Sequence, residues 1–174
     1  DVEKIILLIR GNDRYVTAKE RFDHEIAVST VFDRLKDENP SCFRQFCLEK
    51  IECVTGEVTE KYFGLSCEEF TMLAGRVDVF VHAAACVEFR EQLQKALLIN
   101  TFSLLNVADL IKAAGNIPLI DVSTCYAHGF NRGACREEVI VPTGRGFQKN
   151  SKGYYDVRGL IETLQKKISK IEST

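Results

Sequence analysis

The sequence predicts an α/β fold: a doubly wound parallel sheet with helices on both faces. Three observations predict it. Four short apolar runs, each the length of a strand, recur along the 174 residues. Stretches with helical spacing separate them. Two Ser/Thr-x-x-Glu capping boxes mark where helices begin. Strands that alternate with helices imply βαβ units and therefore parallel pairing.

The elements follow in order. Lys4-Ile5-Ile6-Leu7-Leu8-Ile9-Arg10 is a continuous apolar run, the pattern of a strand buried on both faces. Thr17-Ala18-Lys19-Glu20 opens a helix, with Phe22 and Ile26 on one face. Val28, Val31, Phe32 and Leu35 continue helical spacing after a break near Ser29-Thr30, and Asn39-Pro40 ends that segment. A short helix is expected through Phe43 and Phe46. Ile51–Thr55 is the second strand, closed by Gly56-Glu57. Ser66-Cys67-Glu68-Glu69 opens a helix that Gly75 stops. Val77–Val81 is the third strand and runs into His82-Ala83-Ala84-Ala85. Leu93, Leu97, Asn100, Leu104, Val107 and Ile111 mark one face of a long helix that Gly115 ends. Pro118–Val122 is the fourth strand, and Ser123-Thr124 follows it. A polar, glycine-containing stretch from 129 to 153 precedes a last helix carrying Leu160, Ile161, Leu164, Ile168 and Ile171.

Composition narrows the function classes. With 23 Lys and Arg against 25 Asp and Glu, the net charge is -2, which argues against a general nucleic-acid binder. No apolar run approaches the ~18–20 residues needed to cross a bilayer. Asp1-Val2-Glu3-Lys4 lacks the pattern of a signal peptide. The seven cysteines form no C-x-x-C pair, and the three histidines are scattered, so no metal site is expected. Cys53, Cys86 and Cys125 lie in apolar runs and read as small core residues. Free thiols in this number point to a reducing, cytoplasmic setting.

Ligands of open parallel sheets bind beyond the carboxyl ends of the strands. That rule selects Arg10-Gly11, Gly56-Glu57, His82-Ala83-Ala84-Ala85 and Ser123-Thr124. Around them lie Leu7-Leu8-Ile9-Arg10, Val31-Phe32-Asp33-Arg34-Leu35, Gly56-Glu57-Val58-Thr59 and Phe63-Gly64-Leu65. Val81–Phe89, Ile99-Asn100 and Val122-Ser123-Thr124-Cys125-Tyr126 continue the set. In order and spacing, roughly residues 4 to 130 resemble the NAD(P)-binding domain of fatty acyl-CoA reductases. These form the male-sterility-type branch of the extended short-chain dehydrogenase/reductases, and the likeness is to the bacterial, wax-ester type. Residues 131–174 would be an insertion and a helix.

The resemblance implies a Rossmann-like fold, NADPH as cofactor and a fatty acyl-CoA as substrate. It places Arg10 beside the adenosine ribose, where a guanidinium can bind a 2′-phosphate; on spacing alone, Arg10 is equally an exposed strand-flanking residue. Gly56 and Glu57 fall near the adenine, although Glu57 stands where the superfamily usually has Asp. His82, Ala83 and Ala84 belong to a loop passing over the cofactor, with His82 read as a satisfied, partly buried residue. Asn100 would support a water-linked proton path; read from the helix alone, it is a buried amide bonded to backbone. Thr124, with Ser123 as neighbour or alternative, would polarise the substrate carbonyl.

Two family parts have no counterpart in the sequence. One is the first strand with its three-glycine phosphate turn. The other is the Tyr-x-x-x-Lys pair on a helix after the Ser-Thr strand. Tyr15 and Lys19 have that spacing but follow the wrong strand, and Tyr154 pairs with Arg158 rather than lysine. The doubly wound sheet is therefore expected to be incomplete: split, rearranged or completed by another chain. The chain is expected to be an internal piece of a larger reductase, inert by itself. A reductase acting on carrier-bound thioesters and a non-catalytic Rossmann-like module are the alternatives. Self-association is left open.

Overall fold

The computed structural model describes residues 2–124, 133–134, 149, 151–153 and 155–172. The chain forms two compact units, Asp1–Asp78 with Ser103–Pro118, and Val79–Phe102 with Leu119–Thr174.

In the first unit, β1 (Ile5–Ile9) pairs in parallel with β2 (Ile51–Thr55), from Ile5 opposite Ile51 to Ile9 opposite Thr55. Between them, α1 (Ala18–Arg21) starts at the expected Thr17–Glu20 capping box and passes directly into a π-helical turn, Phe22–Ile26. The buried Ala18 N–H donates to Thr55 Oγ1 at 2.9 Å, so a side chain of β2 takes up an orphan amide of the helix start. A short 3-10 turn (Thr30–Phe32) leads into α2 (Asp33–Glu38), and α3 (Pro40–Lys50) follows. Asn39-Pro40 both ends one helix and opens the next. Asn39 Oδ1 accepts the Cys42 N–H at 3.1 Å, and proline in the first turn sacrifices no hydrogen bond.

The α4 helix (Cys67–Ala74) carries the second capping box and packs against α6 (Ser103–Ala113). Phe63, Phe70, Leu73, Val107 and Leu110 make the buried apolar centre here. Gly115 ends α6 in the left-handed region at φ 83°, whereas Gly75 ends α4 at φ −69°, which any residue could adopt.

The second unit pairs β3 (Phe80–His82) in parallel with β4 (Leu119–Asp121). Both strands are shorter than expected, and β3 starts three residues later than the sequence pattern suggests. The α5 helix (Leu93–Leu97) runs into a π-helical turn, Leu98–Phe102. The last helix, α7 (Val157–Glu172), buries Ile161 and half-buries Leu160, Leu164 and Ile168, while Ile171 is exposed.

Among the described residues, the strands form two separate two-stranded parallel sheets. This corrects the expectation that β1 is buried on both faces: Ile6–Ile9 are only half-buried and Ile5 is exposed. Its continuous apolar pattern suits a strand inside a larger sheet. Cys53 and Cys86 are likewise half-buried rather than core residues, and Cys125 lies outside the described residues. One further expectation changes. The 21-residue helix Leu93–Ala113 is long and apolar enough, by length and mean hydropathy, to cross a membrane. Polar residues such as Asn100 interrupt its apolar positions. Asn100 and Asn106, near its middle, bind backbone groups of Cys86 and Val58.

Replacing Thr55 by the isosteric valine leaves the buried Ala18 amide without an acceptor. The expected loss is about 1–3 kcal/mol, read as a lower urea midpoint with unchanged slope.

Candidate functional site

In the first unit, the register of β1 on β2 sets the two strand exits side by side. The Gly56 N–H continues the ladder to the Ile9 carbonyl at 3.3 Å. Arg10 leaves β1 and Glu57 leaves β2, and Arg10 Nη1 lies 3.7 Å from Glu57 Oε2. The arginine side chain is 62% exposed and the glutamate 27%. Two residues predicted at one cofactor end are therefore brought together.

The loop after β1 is fixed locally. Asn12 Oδ1 accepts the N–H groups of Arg14 and Tyr15 at 3.0 and 2.7 Å. Arg21 donates from Nη1 to the Arg10 carbonyl at 2.9 Å and from Nε to Glu25 at 2.7 Å. Bonds from Arg21 and then Asn12 hold the Glu25 carboxyl below its ordinary pKa. Lys19 binds Asp23 while Tyr15 stacks on His24 at 5.1 Å, so that Tyr-x-x-x-Lys spacing serves local packing.

The loop after β2 folds back sharply. Glu57 N–H donates to the Phe63 carbonyl at 2.9 Å, and Glu57 Oε1 accepts from Thr59 N–H at 3.3 Å. Tyr62 and Phe63 both take the left-handed conformation, at φ 56° and 59°, ahead of Gly64 at φ 76°. Such residues cost of order 1–3 kcal/mol each and persist only when packing holds them. Here Phe63 is fully buried against Phe70, and Asn106 Nδ2 donates to the Val58 carbonyl at 2.8 Å. The fold-back also explains Gly56: a Cβ there would meet the Phe63 carbonyl at 2.6 Å and Leu8 Cδ1 at 2.7 Å. Glycine is needed for the chain's own packing. Sequence reasoning passed over Asn106, whose only signal is an amide among the apolar positions of its helix.

In the second unit, His82 is buried in β3, and its carbonyl accepts the Val122 N–H at 2.8 Å. That bond aligns the ends of β3 and β4. Ala83 and Ala84 emerge exposed from one strand, Ser123 and Thr124 exposed from the other. Asn100 departs from expectation: it is exposed, not buried. The π-helical turn carries it to the loop, where Oδ1 accepts the Cys86 N–H at 2.7 Å and Nδ2 donates to the Cys86 carbonyl at 3.0 Å. The amide thus pairs with both backbone groups of one residue, Cys86, as a neighbouring strand would. Tyr154 and most of the 129–153 stretch lie outside the described residues. A shallow hollow of about 310 Å³ along α3, lined by Pro40, Ser41, Arg44, Gln45, Leu48 and Glu49, contains none of the predicted site residues.

A family model for an NAD-binding domain, described as male sterility protein, matches residues 1–171. The chain is 32% identical over 139 residues to fatty acyl-CoA reductase 2, chloroplastic, of Arabidopsis thaliana, covering 79% of the chain and 22% of that protein. It is 36% identical over 142 residues to fatty acyl-CoA reductase 1 of Mus musculus, covering 81% and 26%. It is 29% identical over 175 residues to the alcohol-forming fatty acyl-CoA reductase of Simmondsia chinensis, covering 99% and 35%. The chain thus spans about a fifth to a third of these relatives' lengths. Among solved structures, the terminal R domain from the myxalamid PKS-NRPS biosynthetic pathway shares the fold. The TM-score is 0.52 at 20% identity, over 75% of this chain and 30% of that one.

Asn100→Ala should free the 83–89 loop while leaving the first unit intact. Hydrogen exchange at the Cys86 amide is expected to speed up about tenfold, with exchange in β1 and β2 unchanged.

Proposed function

The chain belongs to the male sterility protein family of NAD-binding domains, and from that membership we propose that it forms part of an NADPH-dependent reductase of fatty acyl-CoA thioesters. The family match over residues 1–171, together with similarity to fatty acyl-CoA reductases, carries this reading.

The family implies a nicotinamide cofactor. In the first unit, Arg10 offers an exposed guanidinium after β1, which would suit the cofactor's adenosine end. Ala83 and Ala84 add no bulk beyond Cβ where a ligand must approach backbone. The pyrophosphate needs a glycine-rich turn, and the sequence contains none. In this reading the turn, the strand before it and the Tyr-x-x-x-Lys pair come from other parts of the full-length protein.

The bound cofactor supplies the hydride that reduces the thioester carbonyl carbon. Thr124, with Ser123 beside it, donates an O–H hydrogen bond to the carbonyl oxygen, where negative charge develops. Asn100 holds the loop that follows β3 in place. His82 serves as a buried strand residue. The balanced reaction consumes one NADPH and one proton per acyl-CoA and releases coenzyme A and the fatty aldehyde. A second NADPH and proton give the alcohol. The five free cysteines among the described residues support a cytoplasmic location.

The test is NADPH oxidation by the full-length protein with palmitoyl-CoA, with aldehyde and alcohol measured as products. Thr124→Ala is expected to lower kcat about 100-fold, and Ser123→Ala less. The 174-residue chain alone should be inactive. Absence of turnover by the full-length protein would refute the reading.

A further inference from the structure

The Arg10–Glu57 pair has a consequence for cofactor choice. A guanidinium at the exit of β1 is suited to a 2′-phosphate, but here a carboxylate already faces it at 3.7 Å. The other charges around this exit are committed elsewhere. Arg21 is bound to Glu25 and to the Arg10 carbonyl, and Arg14 lies over the Tyr15 ring at 5.2 Å. Arg10 is thus the most available cation at the exit, and Glu57 is the anion it meets.

We propose that Glu57 is a specificity-determining residue that limits the site's preference for NADPH over NADH. It occupies Arg10 when no phosphate is present and repels the phosphate when one binds. The pair is too exposed and too long to hold Arg10 firmly, since surface ion pairs contribute little to order. Its charge still acts over several ångströms until salt screens it. Glu57 is itself well fixed, because its N–H, carbonyl and Oε1 are all bonded within the fold-back after β2. Its carboxylate therefore cannot readily swing away from an incoming phosphate. This inference rests on the reading that Arg10 binds the 2′-phosphate.

The experiment is a fluorescence titration of the full-length protein with NADPH and with NADH. Glu57→Gln keeps the shape and the Thr59 contact but removes the charge. It is expected to lower the NADPH dissociation constant three- to tenfold, to change that for NADH less, and to lose the advantage in 0.5 M salt. Glu57→Asp, which keeps the charge, should stay near the parent value. A higher NADPH dissociation constant in Glu57→Gln would overturn the proposal in favour of a residue that positions Arg10. An unchanged constant would also overturn it. Arg10→Ala separates the two readings. If it does not weaken NADPH relative to NADH, the phosphate assignment falls and this inference with it. If it does while Glu57→Gln has no effect, only this inference falls.

Discussion

The register of β1 on β2 is the constraint on which the first unit depends. The two strands are separated by some 40 residues of helix and turn, yet they pair residue for residue, Ile9 opposite Thr55. Arg10 and Glu57 are the first and second residues beyond that last pair, so their meeting is a property of the ladder. A slip of one residue would turn every side chain to the other face of the sheet and separate the two. It would also withdraw Thr55 from the start of α1. The charge pair, the helix cap and the sheet are one arrangement seen from three sides.

The strand exits are held by side chains acting as backbone. Asn100 presents an amide to both polar groups of Cys86, Asn106 reaches the Val58 carbonyl, and Asn12 gathers two N–H groups of its own turn. A loop at a strand exit has no neighbouring strand to satisfy it, and buried or crowded backbone groups must be paired. The asparagine side chain carries an NH2 donor group and a carbonyl acceptor in peptide-like geometry. Loops bonded in this way can be rigid without being covered, which suits segments that must remain open to a ligand.

Much of this was legible in the sequence. Apolar runs located the four strands among the described residues, and both capping boxes begin helices at the predicted residues. Strand-exit residues could be selected because parallel sheets confine ligands to that end. Other features left no local signal. Asn100 looks buried when the helix is drawn at 3.6 residues per turn; the π-helical turn rotates it out to Cys86. The left-handed Tyr62 and Phe63 carry no glycine to announce them, because tertiary packing of Phe63 supports a conformation that local propensity opposes. Glu57 reads as an ordinary carboxylate until the register places it against Arg10.

The two-stranded sheets have a bearing on how the polypeptide behaves in a tube. In the second sheet, Val81, Leu119 and Ile120 are all exposed, and among the described residues no third strand joins either sheet. Exposed apolar strand edges are templates for strand addition between molecules. Association between molecules along such an edge would be a different event from the binding of a ligand at the strand exits.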